Sequence, residues 1–316
     1  MRALIQTGYG SPENLIIKDI ERPTIKDREM LIRVHASAIH AGDIFCMRGE
    51  PFTVRFFVGF PKPKNYIPGF DLAGTVEEVG KEVTTFKPGD EIFGAAGRTC
   101  AEYVVATEQQ IVLKPPNLTF EQVAAVPTSA ITALMGLRDA GKIKAGQKIL
   151  VNGAAGGVGT YAVQIAKHFG AEVTGVCSTR NMDMVRSLGT DHVIDYTKTD
   201  FTKGDQKYDL ILDNVANHSF RDYWQVLSPN GKHIPNSGNA GLGFIFKAML
   251  LSWFIRKQAG GFYAAPKKPD LLILSELLES EKIKPVVDQT FKLTDGIEAF
   301  RYLNEGRVSG KVVIKM

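Results

Sequence analysis

The run Gly153-Ala154-Ala155-Gly156-Gly157-Val158-Gly159 follows directly on the apolar stretch Lys148–Asn152 and opens a segment with helical spacing. Small residues at such a turn let the backbone approach a pyrophosphate. The helix start behind them offers unpaired N–H groups and the positive end of its dipole. Gly159 is spaced to allow close packing of helix on strand. The first glycine of the usual GxGxxG is Ala154, so the pattern here is AxGxxG. The plain alternative, an ordinary sharp strand-to-helix turn, has to be weighed against the strand–loop–helix context, which favours a dinucleotide.

A site for NAD carries Asp or Glu about twenty residues beyond the last glycine, where it binds the ribose 2′-OH. Counting from Gly159 lands on Cys177-Ser178-Thr179-Arg180-Asn181, which holds no acid. Hydroxyls and a guanidinium suit a 2′-phosphate instead, so NADPH is the expected cofactor. The alternative for Arg180 is a solvated side chain at a helix start. His40, in His40-Ala41-Gly42-Asp43, and Tyr66 are the candidate hydrogen-bond or proton donors. Otherwise His40 is a packed strand-end histidine, with Asp43 as the helix N-cap.

These residues need a frame to hold them. The first 120 residues alternate apolar β-branched runs, such as Met30–Val34 and Gly74–Val79, with Gly and Pro turns such as Lys87–Asp90, which predicts a mostly β domain. Glu50 to Pro68 is an irregular, aromatic-rich excursion, a candidate pocket wall. Phe120 to Ala140 is helical in pattern. From Lys148 onward, short apolar runs at 148–152, 172–178, 192–196, 208–215 and 231–236 alternate with helical stretches, which predicts βαβ units and a parallel sheet. Residues 261–265 are a candidate sixth strand. Leu242 to Ile255 is expected as a buried or pocket-lining helix, the alternative being an exposed sticky surface. It is too short, and too interrupted by Lys247, to span a bilayer. Helix, strand, helix and strand over 269–280, 286–293, 296–304 and 311–315 return the chain to its first domain.

Composition excludes some functions. Of 316 residues, 44% are hydrophobic and 23% charged, ordinary for a globular chain and unlike a disordered or fibrous one. Lys and Arg exceed Asp and Glu by 38 to 34, and this net +4 is too thin to argue for nucleic acid. Cys46, Cys100 and Cys177 are far apart, with no CxxC, so a reducing, cytoplasmic setting is expected. The opening Met1–Gln6 reads as a first strand rather than a signal peptide.

The run Gly146-Gln147-x-x-Leu150-x-x-x-Ala154-Ala155-Gly156-Gly157-Val158-Gly159-x-x-x-x-Gln164-x-x-Lys167 resembles the signature of the medium-chain dehydrogenase/reductases, in their zinc-independent quinone oxidoreductase (zeta-crystallin-like) branch. Gly69-x-Asp71-x-Ala73-Gly74-x-Val76-x-x-Val79-Gly80, then Phe86-x-x-Gly89-Asp90, and the closing Gly310-Lys311-Val312-Val313-Ile314 resemble the same family elsewhere along the chain. The resemblance implies an α/β protein with a GroES-like β-barrel catalytic domain (1–122 and 267–316) and a Rossmann doubly wound parallel-sheet domain (123–266) for NADPH. It also implies that Ala155, Gly156, Gly157 and Val158 form the pyrophosphate loop and that Ser178, Arg180 and Tyr196 lie toward the adenosine phosphate. Thr132, Val215, Asn236 and, with less certain alignment, Lys311 would lie toward the nicotinamide. By themselves Thr132 reads equally as a buried helix threonine and Tyr196 as a strand-end aromatic.

The family's zinc members carry ligands where this chain has His40 and Phe70, and a four-cysteine lobe that is missing here. One imidazole and a phenyl ring cannot make a three-ligand open site, so no metal is expected. Hydride transfer to an electron-poor acceptor needs only hydrogen bonds to its carbonyl, so a quinone, enone or enal is the expected substrate. Two other readings remain: an NAD(P)-dependent alcohol or aldehyde oxidoreductase, and an NADPH-binding protein with a structural, regulatory or RNA-binding role. Homodimerisation is common in the branch and is expected near 261–265.

Overall fold

In the computed structural model, residues 1–64, 66–237, 247, 248, 250, 251, 253, 255 and 266–316 are described. The chain separates into two compact units, one formed by 1–131, 265–281 and 285–316, the other by 132–264 and 282–284.

The first unit is built on strands whose branched residues alternate between faces. Strands β1 (Arg2–Gln6) and β2 (Leu15–Asp19) form an antiparallel pair. Strands β3 (Glu29–Ile39), β4 (Asp71–Val79), β5 (Glu91–Ala95), β6 (Tyr103–Thr107) and β7 (Ile111–Leu113) then build an antiparallel sheet. The last two strands of the chain, Val287–Lys292 and Lys311–Lys315, close its far side, with Val312–Lys315 pairing onto Ala36–Ile39. Met30, Ile32, Val34, Leu72, Val76 and Ile92 form one core of this unit. Leu4, Ile39, Met47, Phe300 and Ile314 belong to a second. Each such side chain taken from water contributes roughly 1.5–3 kcal/mol, which offsets the entropy of ordering the chain.

Among the described residues of the second unit, five parallel strands follow the order β10-β9-β8-β11-β12, with ranges β8 Lys148–Asn152, β9 Glu172–Cys177, β10 His192–Asp195, β11 Tyr208–Asp213 and β12 Leu227–Pro235. The order reverses between β8 and β11, and in open α/β sheets ligands bind outside the carboxyl ends of the strands at such a reversal. The core under it includes Leu150, Val176, Ile211, Tyr223 and Leu227.

Two sequence expectations shift. The stretch 120–140 is not one helix but three pieces, Phe120–Ala124, Pro127–Met135 and a wide turn at Gly136–Ala140, because Pro127 has no N–H with which to continue the first. Strand β12 begins at Leu227 rather than at Gly231. Ser228-Pro229-Asn230-Gly231, which has the composition of a turn, is absorbed as a register shift against β11. Cys100 is a buried core residue, whereas Cys46 is only partly buried. The candidate strand at 261–265 and most of the candidate helix at 242–255 lie outside the described residues. Of the latter, Ala248 is buried and Trp253 is exposed.

Candidate active site

The glycine loop sits at the carboxyl end of β8, and its glycines are required by contact rather than by habit. Gly153 has φ +77°, and a Cβ there would meet Val215 Cγ2 at 2.8 Å. A Cβ on Gly159 would stand 2.0 Å from the Gly153 carbonyl oxygen, so only glycine lets the following helix, α5 (Gly157–His168), pack this close. Gly156 is the N-cap of α5, no side chain caps it, and the first turn carries no acid. Its leading N–H groups are therefore left for a ligand, which is what a pyrophosphate needs. Ala155 is buried beneath the loop, and Gly157 and Val158 are partly exposed on it.

The carboxyl ends of β8, β11 and β12 are stitched together by side chains. Asp213, fully buried, accepts from Asn152 Nδ2 (2.9 Å), from the backbone N–H groups of Val215 (3.2 Å) and Ala216 (2.9 Å), and from His233 Nε2 (3.1 Å). Burial pulls the Asp213 carboxyl upward, but the His233 bond and charge and the Ala216 N–H outweigh it and leave the carboxyl below its ordinary range. The same bonds hold Ala216 at φ +58° and present Val215 half-exposed beside Gly153. Asn236 donates from its backbone to Asp213 O (2.8 Å) and from its side chain to Asn214 Oδ1 (2.7 Å). Asn214 in turn donates to Asn152 O (3.1 Å). Val215 and Asn236 thus stand at the carboxyl ends of the neighbouring strands β11 and β12. Asp213 and His233 were not singled out from sequence. The available signal was an acid behind the apolar Leu210–Leu212 and a lone histidine in the next run, a pattern that calls for mutual satisfaction once buried.

At the ends of β9 and β10, Ser178 is partly buried and Thr179 and Arg180 are exposed, while Tyr196 is 58% exposed beside them. No acid lies in 177–181, but one does approach in space. Asp195, the last residue of β10, pairs across the sheet with Cys177. Its register against the neighbouring strand is what hides it from a count along the chain. Thr132 lies within the helix Pro127–Met135, partly buried.

In the first unit, His40 is itself the N-cap of helix α1 (Ala41–Arg48). Asp43 is not the cap but its reciprocal partner. Asp43 Oδ2 accepts the His40 N–H at 2.9 Å, and Oδ1 accepts Gly69 N–H at 2.8 Å, with the carboxylate fully buried. Burial raises the Asp43 carboxyl, against the lowering effect of His40 and these backbone bonds. His40 Nδ1 accepts from the Gly42 N–H at 3.0 Å, so in the neutral ring the hydrogen is on Nε2. That Nε2 is buried and has no hydrogen-bond partner. The ring stacks on Phe70, centroids 5.5 Å apart.

Tyr66 differs from His40. Burial pushes its hydroxyl well above the usual phenol range, with the neighbouring Cys46 and Asp43 adding to the effect. The Cys46 thiol is itself pushed up to about 11, chiefly by burial. Lys311, near the start of the last strand, is 2% exposed with its ammonium 3.3 Å from Asp71 Oδ2. Its charge is directed to that carboxylate, which also accepts from the Thr128 N–H (3.0 Å) and hydroxyl (2.5 Å).

Two family models match the chain: an alcohol dehydrogenase GroES-like domain over residues 26–131 and a zinc-binding dehydrogenase over 188–314. The 2-methylene-furan-3-one reductase of Solanum lycopersicum is 33% identical over 99% of this chain and 79% of its own. The chloroplastic quinone-oxidoreductase homolog of Spinacia oleracea is 32% identical over 100% of this chain and 98% of its own. The chain belongs to the zinc-independent quinone oxidoreductase branch of the medium-chain dehydrogenase/reductase superfamily. Within that superfamily, the solved quinone oxidoreductase from Coxiella burnetii aligns with a TM-score of 0.91 at 28% identity, covering 100% of this chain and 99% of that one. The superfamily's GroES-like and Rossmann folds are therefore those of this chain.

One matching family description names zinc, and the residues here do not fit that metal. His40 faces a phenyl ring, and burial holds the Cys46 thiol protonated. Among the described residues, no three His, Cys, Asp or Glu side chains converge as metal ligands do. A nicotinamide dinucleotide does fit: the uncapped start of α5, the open space at Gly156 and the acid-free 177–181 turn are matched to its phosphates.

Proposed function

We propose that the protein is a zinc-independent, NADPH-dependent reductase of quinones or α,β-unsaturated carbonyls. The observation that carries this reading is the buried, unpartnered Nε2–H of His40, a donor whose tautomer is fixed by the Gly42 N–H. NADPH, when bound, supplies a hydride. The chain's own part is to receive the negative charge that builds on the acceptor oxygen, and a preorganised hydrogen-bond donor in a water-poor setting is the means. Gly42 holds the imidazole in the donor tautomer, and Phe70 holds the ring plane. Tyr66 is the weaker candidate, its proton tightly held, chiefly by burial.

In the cofactor domain, Ala155, Gly156, Gly157 and Val158 would hold the pyrophosphate, and Ser178, Arg180 and Tyr196 the adenosine 2′-phosphate end. Thr132, Val215 and Asn236 would lie toward the nicotinamide. Lys311 enters this reading as the buried counter-ion of Asp71. The names of relatives support the substrate class, among them the NADPH-dependent alkenal/one oxidoreductase of Arabidopsis thaliana, 32% identical over 99% of this chain. The boundaries 1–122 with 267–316 and 123–266 remain the proposed catalytic and cofactor domains.

A cytoplasmic setting is part of the proposal, supported by three free cysteines. Among the described residues no helix is long and apolar enough to cross a membrane. A homodimer is also part of it, its expected edge at 261–265 falling outside the described residues. Light scattering on the purified chain tests the dimer.

The deciding experiment follows NADPH consumption with 1,4-benzoquinone, 9,10-phenanthrenequinone, a linear 2-alkenal and a cyclic enone, with NADH and EDTA controls. Turnover with NADPH that EDTA leaves unchanged is expected. Tight NADPH binding with no acceptor reduced would refute the catalytic reading. Chelator-sensitive turnover of simple alcohols alone would refute the metal-free one.

A further inference from the structure

An acid stands beside the ribose end of the proposed cofactor site, yet its oxygens are taken. Asp195 is 7% exposed, at the carboxyl end of β10, one residue before the exposed Tyr196. Its Oδ2 accepts from the Thr179 hydroxyl at 2.5 Å, and Lys198 Nζ lies 3.6 Å from the same oxygen. Its Oδ1 accepts from the Thr197 hydroxyl at 2.7 Å and the Thr197 N–H at 3.0 Å. The two threonine hydroxyls are 3.2 Å apart, so they close over the carboxylate as a pair. Thr179 belongs to the same turn as Ser178 and Arg180, where the ribose substituent is decided.

A carboxylate in this neighbourhood would accept a hydrogen bond from a ribose 2′-OH and repel a 2′-phosphate. We propose that Thr179 and Thr197 form a lock that ties Asp195 down, away from the ribose, and so sets the preference for a 2′-phosphorylated cofactor. The inference rests on the NADPH reading and names the residues that enforce it without touching the cofactor. Thr179 and Thr197 are positioning residues: they fix where one negative charge points. The bonds keep Asp195 ionised, its carboxyl held down to about 2 first by Thr179 and then by Thr197, so the lock holds a charge and not a neutral acid.

The test measures binding of 2′,5′-ADP and of 5′-AMP to the whole chain by calorimetry, which needs no turnover. The wild type should favour 2′,5′-ADP. Thr179→Val removes one hydroxyl from a charged acceptor at constant shape, and the ratio of the two affinities should fall about tenfold. Thr179→Ser should keep the ratio, and Thr197→Val should move it in the same direction as Thr179→Val. Thr179→Val combined with Asp195→Asn should restore it, because the charge the lock controls is gone. A Thr179→Val variant that weakens both ligands equally, or leaves the ratio where it was, overturns the lock while the NADPH reading stands. A wild type that binds 5′-AMP as tightly as 2′,5′-ADP overturns the NADPH reading and the lock with it.

Discussion

The Gly42 N–H donates to Nδ1 of His40 at 3.0 Å, and that one backbone bond decides which imidazole nitrogen carries the hydrogen. The nearest carboxylate does not compete for it. Asp43 Oδ2 is 3.7 Å from Nδ1 and is occupied by the His40 backbone N–H. The arrangement is therefore a fixed donor rather than an acid–histidine relay. Its close fit requires glycine, since a Cβ at position 42 would lie 2.7 Å from His40 Cε1.

His40→Ala should lower kcat by about 10²-fold, the scale set by removing one preorganised donor, with NADPH affinity held within a few-fold. Gly42→Ala should also lower kcat, because the ring must move to admit the methyl group, while leaving the imidazole in place. Stopped-flow rates with saturating NADPH and a quinone check both. A full kcat in His40→Ala would remove His40 from the chemistry.

The buried Asp71–Lys311 pair predicts a stability pattern. Removing one partner of such a pair leaves the other charged and desolvated, at a cost of about 3–5 kcal/mol. Lys311→Met should therefore destabilise strongly, although Thr128 still donates twice to Asp71. Lys311→Met with Asp71→Leu should recover a large part of the loss. Urea titrations of Lys311→Met, Asp71→Leu and the double variant measure the coupling, and additive losses would show the two side chains to be independent.

Much of the cofactor domain was legible in the chain because its signal is local. The glycine loop, the apolar strand before it and the alternation after it lie next to one another in sequence, and backbone sterics at Gly153 and Gly159 leave few residue choices. What escaped depends on register between distant strands. Asp195 meets Thr179 across β9 and β10, and Asp213 meets His233 across β11 and β12. Nothing in the spacing of either pair along the chain announces the contact. In the same way Asp43 looks like an N-cap in sequence, and only the geometry shows His40 taking that place. The Lys311–Asp71 ion pair likewise joins residues far apart in the chain.

Gly159 gives a test of the loop itself. A methyl group there would lie 2.0 Å from the Gly153 carbonyl oxygen and 2.8 Å from Ala154 Cα, both backbone atoms that cannot rotate away. Gly159→Ala should cost at least about 1–3 kcal/mol, as overpacking does, and should weaken NADPH binding by pushing α5 from β8. Gly156→Ala is the contrast, since its Cβ would meet nothing closer than 3.5 Å. It should fold normally and lose affinity only through the space it takes from the ligand. Thermal melts with and without NADP⁺ separate the two, and equal apo stability loss in both variants would count against the packing account.

The threonine clamp on Asp195 also predicts how stability responds to acid. Its carboxyl is lowered from an ordinary value of 3.8 to about 2 in the folded chain, so folding favours the ionised form. A group of this kind stabilises the fold at every pH above its unfolded value, and the stabilisation is lost as pH falls through the window from about 4 to about 2. Asp195→Asn cannot ionise and has no such term. The gap in urea midpoint between wild type and Asp195→Asn should therefore be constant from pH 7 to about pH 5, then close as the pH falls below about 4. Thr179→Val should narrow the gap at neutral pH by removing the leading contributor to the shift. A gap that stayed constant down to the acid limit would mean that the carboxylate's charge contributes nothing to the fold.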